Sequence, residues 1–271
     1  MKAGLSPAFV VLRRRLAKNR PMTLDHPPRR IALLTDFGEG PYVGQMRLLL
    51  SSIAAGVATE SLISDLPAFR PDLAAFLLPG LMRRMPPSTL YLCVVDPGVG
   101  GERGVLAAAV DDDWLIGPDN GLLLPRIRAA ADAQVFRVLW RPPDLSHSFH
   151  GRDLFAPLAA LMVGGDLPAC TPAAIETLIG ADWPRTLAKV CYVDGYGNLI
   201  SGLIADELSV DTLLRVGGRD IRFARTFREV PIGTAFWYRN SFGLLEIAVN
   251  QGRADRLLNL AVGDRLILIE P

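Results

Sequence analysis

At 271 residues, half of them apolar, the chain can bury a large core and fits one large domain or two modest ones. A formal charge of +1 lacks the net-basic footprint of a nucleic-acid binder, and no run reaches the roughly 18 uncharged apolar residues that a membrane span needs. Cys93, Cys170 and Cys191 are too few and too far apart for a disulfide framework or a zinc site, which suits a reducing cytoplasm, and three histidines leave no His-rich metal centre.

Residues 1–29 carry Arg13, Arg14, Arg15, Lys18 and Arg20 after a short apolar run, the reverse of a secretory signal. They read as a poorly ordered tail, or as a stretch upstream of a start at Met22. Residues 31–35 (IALLT) then form a short buried strand, followed by a helix over 42–54 with Val43, Met46, Leu49, Leu50 and Ile53 at helical spacing. Residues 62–64 read as a short strand. Pro71 opens a helix that Pro79-Gly80 must kink or split. Strands follow over 91–95, 105–110 and 114–116, then a helix over 122–131 and a strand over 134–140. A helix over 152–163 contains Pro157, which belongs in a first turn. Strands alternating with helices predict an α/β domain over 30–165 with a largely parallel sheet. Residues 166–185, rich in Gly, Pro, Thr and Ala, read as a linker. Beyond it, short strands over 189–193, 199–203, 213–216, 221–223, 235–238, 244–249 and 266–269, with one helix over 253–260, predict a small antiparallel β-barrel or sandwich domain at 186–271.

Polar residues set among Gly, Pro or Asn close many of these apolar runs. They occur at Asp36-Phe37-Gly38, Asp96-Pro97-Gly98, Asp119-Asn120-Gly121, Phe149-His150-Gly151, Asp194-Gly195 and Asn240-Ser241-Phe242-Gly243. One such loop is ordinarily a turn in which Asp or Asn satisfies its own backbone. Several in a parallel α/β layer predict convergence, because the carboxyl ends of such strands open on one crevice. Asp36-Phe37-Gly38 also spells a kinase triplet, but it precedes rather than follows the faint catalytic-loop echo at His150-Gly151-Arg152-Asp153. Gly38-Glu39-Gly40 has the wrong spacing for a dinucleotide fingerprint. His150, between an aromatic ring and a glycine, suits water positioning or general-base work.

Taken together, 31–44 (IALLTDFGEGPYVG), 94–103 (VVDPGVGGER), 118–122 (PDNGL), 148–157 (SFHGRDLFAP), 192–199 (YVDGYGNL) and 240–250 (NSFGLLEIAVN) resemble, in order, the S-adenosylmethionine (SAM) hydroxide adenosyltransferases. These SAM hydrolases are relatives of the fluorinase and chlorinase. The resemblance implies an α/β domain followed by a small β-barrel. It also implies a homotrimer holding SAM between one subunit's N-terminal domain and a neighbour's C-terminal domain. No cofactor or metal is implied; SAM is the substrate. Asp96, Arg103 and His150 match the hydrolase triad, which holds one water in line with the C5′–S bond. Asp36 matches the carboxylate that takes both ribose hydroxyls, Asn198 the side chain at the adenine edge, and Asp194 and Ser241 the groups at the methionine end. Phe149 packs against the ribose or adenine in this reading.

The chain departs from its relatives in places. The loop after Asp36 is one residue shorter, and Asp65 stands where relatives often carry His. The function expected is hydrolysis of SAM to adenosine and L-methionine. The alternatives are halide transfer, a SAM- or adenosine-binding sensor without turnover, and a metallohydrolase built on Asp36, Asp96, Asp153 and His150. Gly151, where the fluorinase carries a halide-binding Ser, speaks against the first.

Overall fold

The computed structural model of the protein describes residues 21–269. The chain divides into two compact units. One runs up to Pro71 and resumes over Arg84–Ala181, and the other combines Asp72–Arg83 with the chain from Asp182 onward.

The first unit is built on β1 (Met22–Thr23), β2 (Arg30–Thr35), β3 (Ala58–Ile63), β4 (Thr89–Val94), β5 (Val105–Val110), β6 (Asp113–Pro118), β7 (Ala133–Val138), β8 (Asp166–Leu167) and β9 (Cys170–Pro172). Seven of these form one sheet in the order β3-β2-β4-β6-β5-β7-β9. Strands β3, β2, β4 and β6 are mutually parallel, whereas β5, β7 and β9 join by antiparallel pairing. The sheet is therefore mixed, with its parallel half toward β3. Strand β4 is buried along its whole length, which explains its unbroken apolar sequence. The helix Pro41–Ile53 lays Val43, Met46, Leu50 and Ile53 on the core. An almost wholly buried helix, Ala156–Val163, packs beside it.

Pro157 lies in the first turn of Ala156–Val163, as its missing N–H favours. The chain enters that helix through a widened π-helical turn, Gly151–Phe155, in which the Ala156 N–H reaches back to the Gly151 carbonyl. Wide turns of this kind occur frequently at functional sites. Here the turn directly follows His150.

The second unit holds β10 (Leu187–Val193), β11 (Leu199–Ile204), β12 (Leu213–Val216), β13 (Arg219–Ile221), β14 (Ala235–Arg239), β15 (Leu244–Val249) and β16 (Ile267–Ile269). They form two open antiparallel sheets, β10-β11-β15-β14 and β13-β12-β16. The closed barrel, one of the two arrangements the strand spacing allows and the one the resemblance implies, is not what these pairings make. The same unit includes Asp72–Arg83, because Phe76 stacks on Trp183 and Gly80 lies against Phe242. The predicted helix there is split, and the break falls before Pro79. Residues 71–74 and 78–81 are helical, with Pro79 in the first turn of the second piece.

Two boundaries differ from the sequence expectation. Residues 1–20 of the expected tail lie outside the described residues, but Met22–Thr23 pairs with Asp166–Leu167 and Leu24 is buried in the core. Residues 166–181 likewise belong to the first unit. Strand β9 extends its sheet, and the Ile179 N–H donates to Asp119 at 3.1 Å. Both stretches are too short and too rich in turn-forming residues to show a period, so only tertiary pairing reveals them. Leu24→Ala should cost about 2–5 kcal/mol in a urea melt, the range for emptying a buried leucine site; an unchanged midpoint would return this stretch to the tail.

Candidate active site

The parallel register places the site. Thr35, the last residue of β2, pairs with Val94, the last of β4, so Asp36 and Asp96 leave the sheet from neighbouring carboxyl ends. Asn120, at the end of β6, donates from Nδ2 to the Val95 carbonyl at 2.9 Å and steadies the chain just before Asp96. This is the convergence expected at such an edge. Asp119 takes no part in it. Its carboxylate is buried and holds Arg137 and the Ile179 N–H, a structural role.

After Asp96 the chain makes two tight turns, Val99 N–H to the Asp96 carbonyl at 3.2 Å and Gly101 N–H to the Gly98 carbonyl at 3.0 Å. These turns fold Arg103 back onto the aspartate. Its Nε lies 3.0 and 2.9 Å from the two carboxylate oxygens, and its Nη2 also bonds Oδ2. The paired side chains are only 10% and 4% exposed, so solvent screens this ion pair little. The guanidinium also lies over the Phe155 ring, 5.4 Å from its centroid.

Arg103 Nη2 reaches His150 Nδ1 at 2.8 Å. Because a guanidinium has only donors, Nδ1 must accept, and a neutral ring then carries its proton on Nε2. Burial, and then the Arg103 charge, lower the His150 pKa below the usual 6.5. The neutral imidazole is therefore favoured at pH 7, and its free edge presents an N–H donor. Arg141, which the sequence reading did not single out, lines the same pocket and adds to this shift. It lies in a loop without a motif, and nothing in the sequence marks it. The pocket has a volume of about 400 Å³ and is walled by Gly100–Arg103, Arg141, Leu145–His147 and His150.

Gly100 makes this closure possible. It has φ +80°, and a Cβ there would lie 2.4 Å from the His147 carbonyl oxygen. The Asp96–Arg103 loop and the loop leading to His150 therefore meet at a point that only glycine fits.

Asp36 accepts the Phe69 N–H at 3.0 Å through Oδ2. Its pKa is raised, chiefly by burial and to a smaller degree by the charge of Asp96. Residues 64–69, whose placement the sequence left open, fold over this loop. The Gly38 N–H meets the Ser64 carbonyl, and Ser64 Oγ donates to Glu39. Phe149 is buried edge-on to Phe37 and Tyr42, with centroids at 5.9 and 5.1 Å. Gly151 closes that cluster, since a Cβ would lie within about 3.2 Å of Phe37, Met46 and Phe149. Arg152 and Asp153 pair with each other, and Arg152 also covers the Phe149 ring. His150 alone of that tetrad's ionisable residues meets Arg103.

In the second unit, Asp194 accepts the Tyr196 and Asn198 N–H groups through Oδ1 and Asn198 Nδ2 through Oδ2. This is an Asx-type turn that holds Asn198 beside it. Ser241 is exposed at the turn between β14 and β15, which Asn240 organises by accepting from Phe242 and Leu244. Among the described residues no group of three His, Cys, Asp or Glu side chains is placed to hold a metal ion.

Residues 31–170 match the SAM hydroxide adenosyltransferase N-terminal domain and residues 188–267 the C-terminal domain. The chain is 35% identical, over 87% of its length and 97% of the relative's, to the (R)-S-adenosyl-L-methionine hydrolase of Thermus thermophilus. It is 37% identical to the protein of that name from Salinispora arenicola, over 66% of this chain and 74% of that one. A solved structure of a conserved protein from Thermotoga maritima superposes with a TM-score of 0.74 at 27% identity, covering 89% of this chain and all of that one. The chain belongs to the SAM hydroxide adenosyltransferase family.

Gly100→Ala should destabilise the first unit by about 2 kcal/mol or more, given the left-handed backbone and the carbonyl contact. Activity should fall with it; wild-type stability and turnover together would show that the two loops do not depend on this contact.

Proposed function

We propose that the chain is an S-adenosyl-L-methionine hydrolase in which Asp96, Arg103 and His150 hold a water for attack on C5′. The observation that carries this reading is the contact from Arg103 to both the Asp96 carboxylate and His150 Nδ1. It supports a water that accepts from the His150 Nε2–H through one lone pair and keeps the other for C5′. Oxygen bonds C5′, the C5′–S pair withdraws onto sulfur, and methionine leaves as a neutral thioether. Adenosine and one proton are the other products. A sulfonium needs no acid to depart, so the site's work is positioning, which can supply roughly 7–11 kcal/mol. We propose no metal and no cofactor for that reason. Since Nδ1 is engaged by Arg103, His150 orients the water rather than stripping it. The strongly acidic protonated 5′-hydroxyl then loses its proton through the pocket beside the ring.

Asp36 would take the ribose hydroxyls and Phe149 a face of the nucleoside, with Asn198 at the adenine edge and Asp194 and Ser241 at the amino-acid end. These residues divide between the two units. That division supports a homotrimer in which a neighbour's second unit completes the site. No helix among the described residues is long and apolar enough to cross a membrane, and we propose a cytoplasmic enzyme. The relatives named above are hydrolases of the (R) sulfonium epimer, and the same epimer is the substrate proposed here. The tight fit around Gly151 disfavours the serine of a halide site.

Purified protein should release adenosine and methionine from SAM equally with chloride or EDTA present. A 5′-halo-adenosine as main product would overturn the hydrolase reading, loss of activity in EDTA the metal-free one, and absence of turnover would favour a sensor. His150→Ala should lower turnover about 100-fold or more; unchanged turnover would remove the residue from the mechanism.

A further inference from the structure

The turn that carries Ser241 is tied to a buried carboxylate that the reaction does not use. Glu246, in the middle of β15, is only 5% exposed, and every residue of its strand is buried. One of its oxygens accepts from the Tyr238 hydroxyl at 2.5 Å and the other from Asn240 Nδ2 at 3.0 Å. Burial raises its pKa, and the Tyr238 and Asn240 donors oppose that shift. The contact with Asn240 needs only an acceptor, so it holds in either protonation state. Burying a carboxyl group is costly unless it is bonded, so its partners are where its purpose lies.

Asn240 is the informative partner. It is itself buried, and its Oδ1 accepts from the Phe242 N–H at 2.9 Å and the Leu244 N–H at 3.0 Å. The amide thus gives its donor to a carboxyl oxygen and its acceptor to two backbone donors. Flipping it would set oxygen against oxygen on one side and N–H against N–H on the other, so the side chain is fixed in one sense. The Gly243 N–H goes to the Asn240 carbonyl at 3.0 Å. Phe242, Gly243 and Leu244 therefore all direct their N–H groups to Asn240, and the N–H and hydroxyl of the exposed Ser241 are left for a ligand. Of the two groups read at the amino-acid end, Asp194 is an acceptor and suits the ammonium. The carboxylate falls to the donors of Ser241.

We infer that Glu246 is a positioning residue that, through Asn240, fixes the Ser241 turn as a carboxylate site and so restricts the substrate to sulfonium nucleosides that keep the α-carboxylate. This rests on the reading that sets Ser241 at the amino-acid end. Sequence alone does not show it, because Glu246 lies in an apolar strand where a single polar residue ordinarily faces solvent.

The test compares kcat/KM for SAM and for decarboxylated SAM, which keeps the sulfonium and the amine, in the wild type, Glu246→Leu, Glu246→Gln and Ser241→Ala. The wild type should prefer SAM, and equal rates on the two substrates would contradict the inference at the outset. Glu246→Leu removes the acceptor that fixes Asn240. Its SAM preference should narrow about tenfold or more, with the loss appearing on SAM and not on the decarboxylated substrate. Glu246→Gln should keep the wild-type preference, because its amide oxygen can still accept from Asn240 while its NH2 donates to the Tyr238 hydroxyl. A merely structural role would lower both rates together. If Ser241→Ala narrows the preference and Glu246→Leu leaves it intact, the role of Glu246 is overturned while the amino-acid contact stands. If Ser241→Ala leaves the preference intact, the contact itself is wrong and the inference falls with it. Should Glu246→Leu fail to fold, Glu246→Asp draws the carboxylate back from Asn240 by one methylene and reads the same ratio, with the same narrowing expected and an unchanged preference contradicting it.

Discussion

The bond that organises the first unit is the buried grip of Arg103 on Asp96. An arginine so little exposed must be paired, since losing its partner would leave an uncompensated charge in a poorly solvated site. The planar guanidinium lies along both carboxylate oxygens and still reaches His150 with Nη2. Lysine has no such fork. Much of the surrounding structure serves this geometry. The register of β2 against β4 sets Asp36 beside Asp96, Asn120 pins the end of β4, and Gly100 admits the His147 carbonyl. The widened turn at Gly151–Phe155 then begins at the residue after the histidine.

The same contact decides what His150 can do. A residue read from sequence as either a base or an orienting group is left, once Nδ1 accepts from a cation, with only its Nε2–H donor to offer a ligand. Burial and two arginines reinforce this by favouring the neutral ring. SAM hydrolysis tolerates that arrangement, because the leaving group departs as a neutral thioether and the water need not be ionised beforehand. The chemistry asked of the protein is alignment and exclusion, for which paired loops on rigid strand ends are suited.

Much of this was legible in the sequence because it is local. Strands β5, β12 and β15 coincide with their apolar runs, and the Asp-Pro-Gly turn after β4 announces itself by composition. The candidate residues were named through the ordered motifs, and the structure brings Asp96, Arg103 and His150 into direct contact. What escaped is non-local. Strands β1, β8 and β9 are too short to carry a period, and the turn-rich stretch over 166–181 is ordered by Asp119 and by pairing with β7. Asp72–Arg83 belongs with the antiparallel unit although it lies far from it in sequence. Arg141 has no motif around it. Asp194 shows the opposite case, since the ordinary Asx turn is what its carboxylate forms.

The account stands on a water that attacks carbon. Turnover in water enriched in oxygen-18, followed by mass spectrometry of the products, tests this directly. The account predicts one heavy oxygen per adenosine, located at the 5′-hydroxyl, and none in methionine. Adenosine formed without the label would contradict it, because the oxygen would then have come from some group other than the water proposed beside His150.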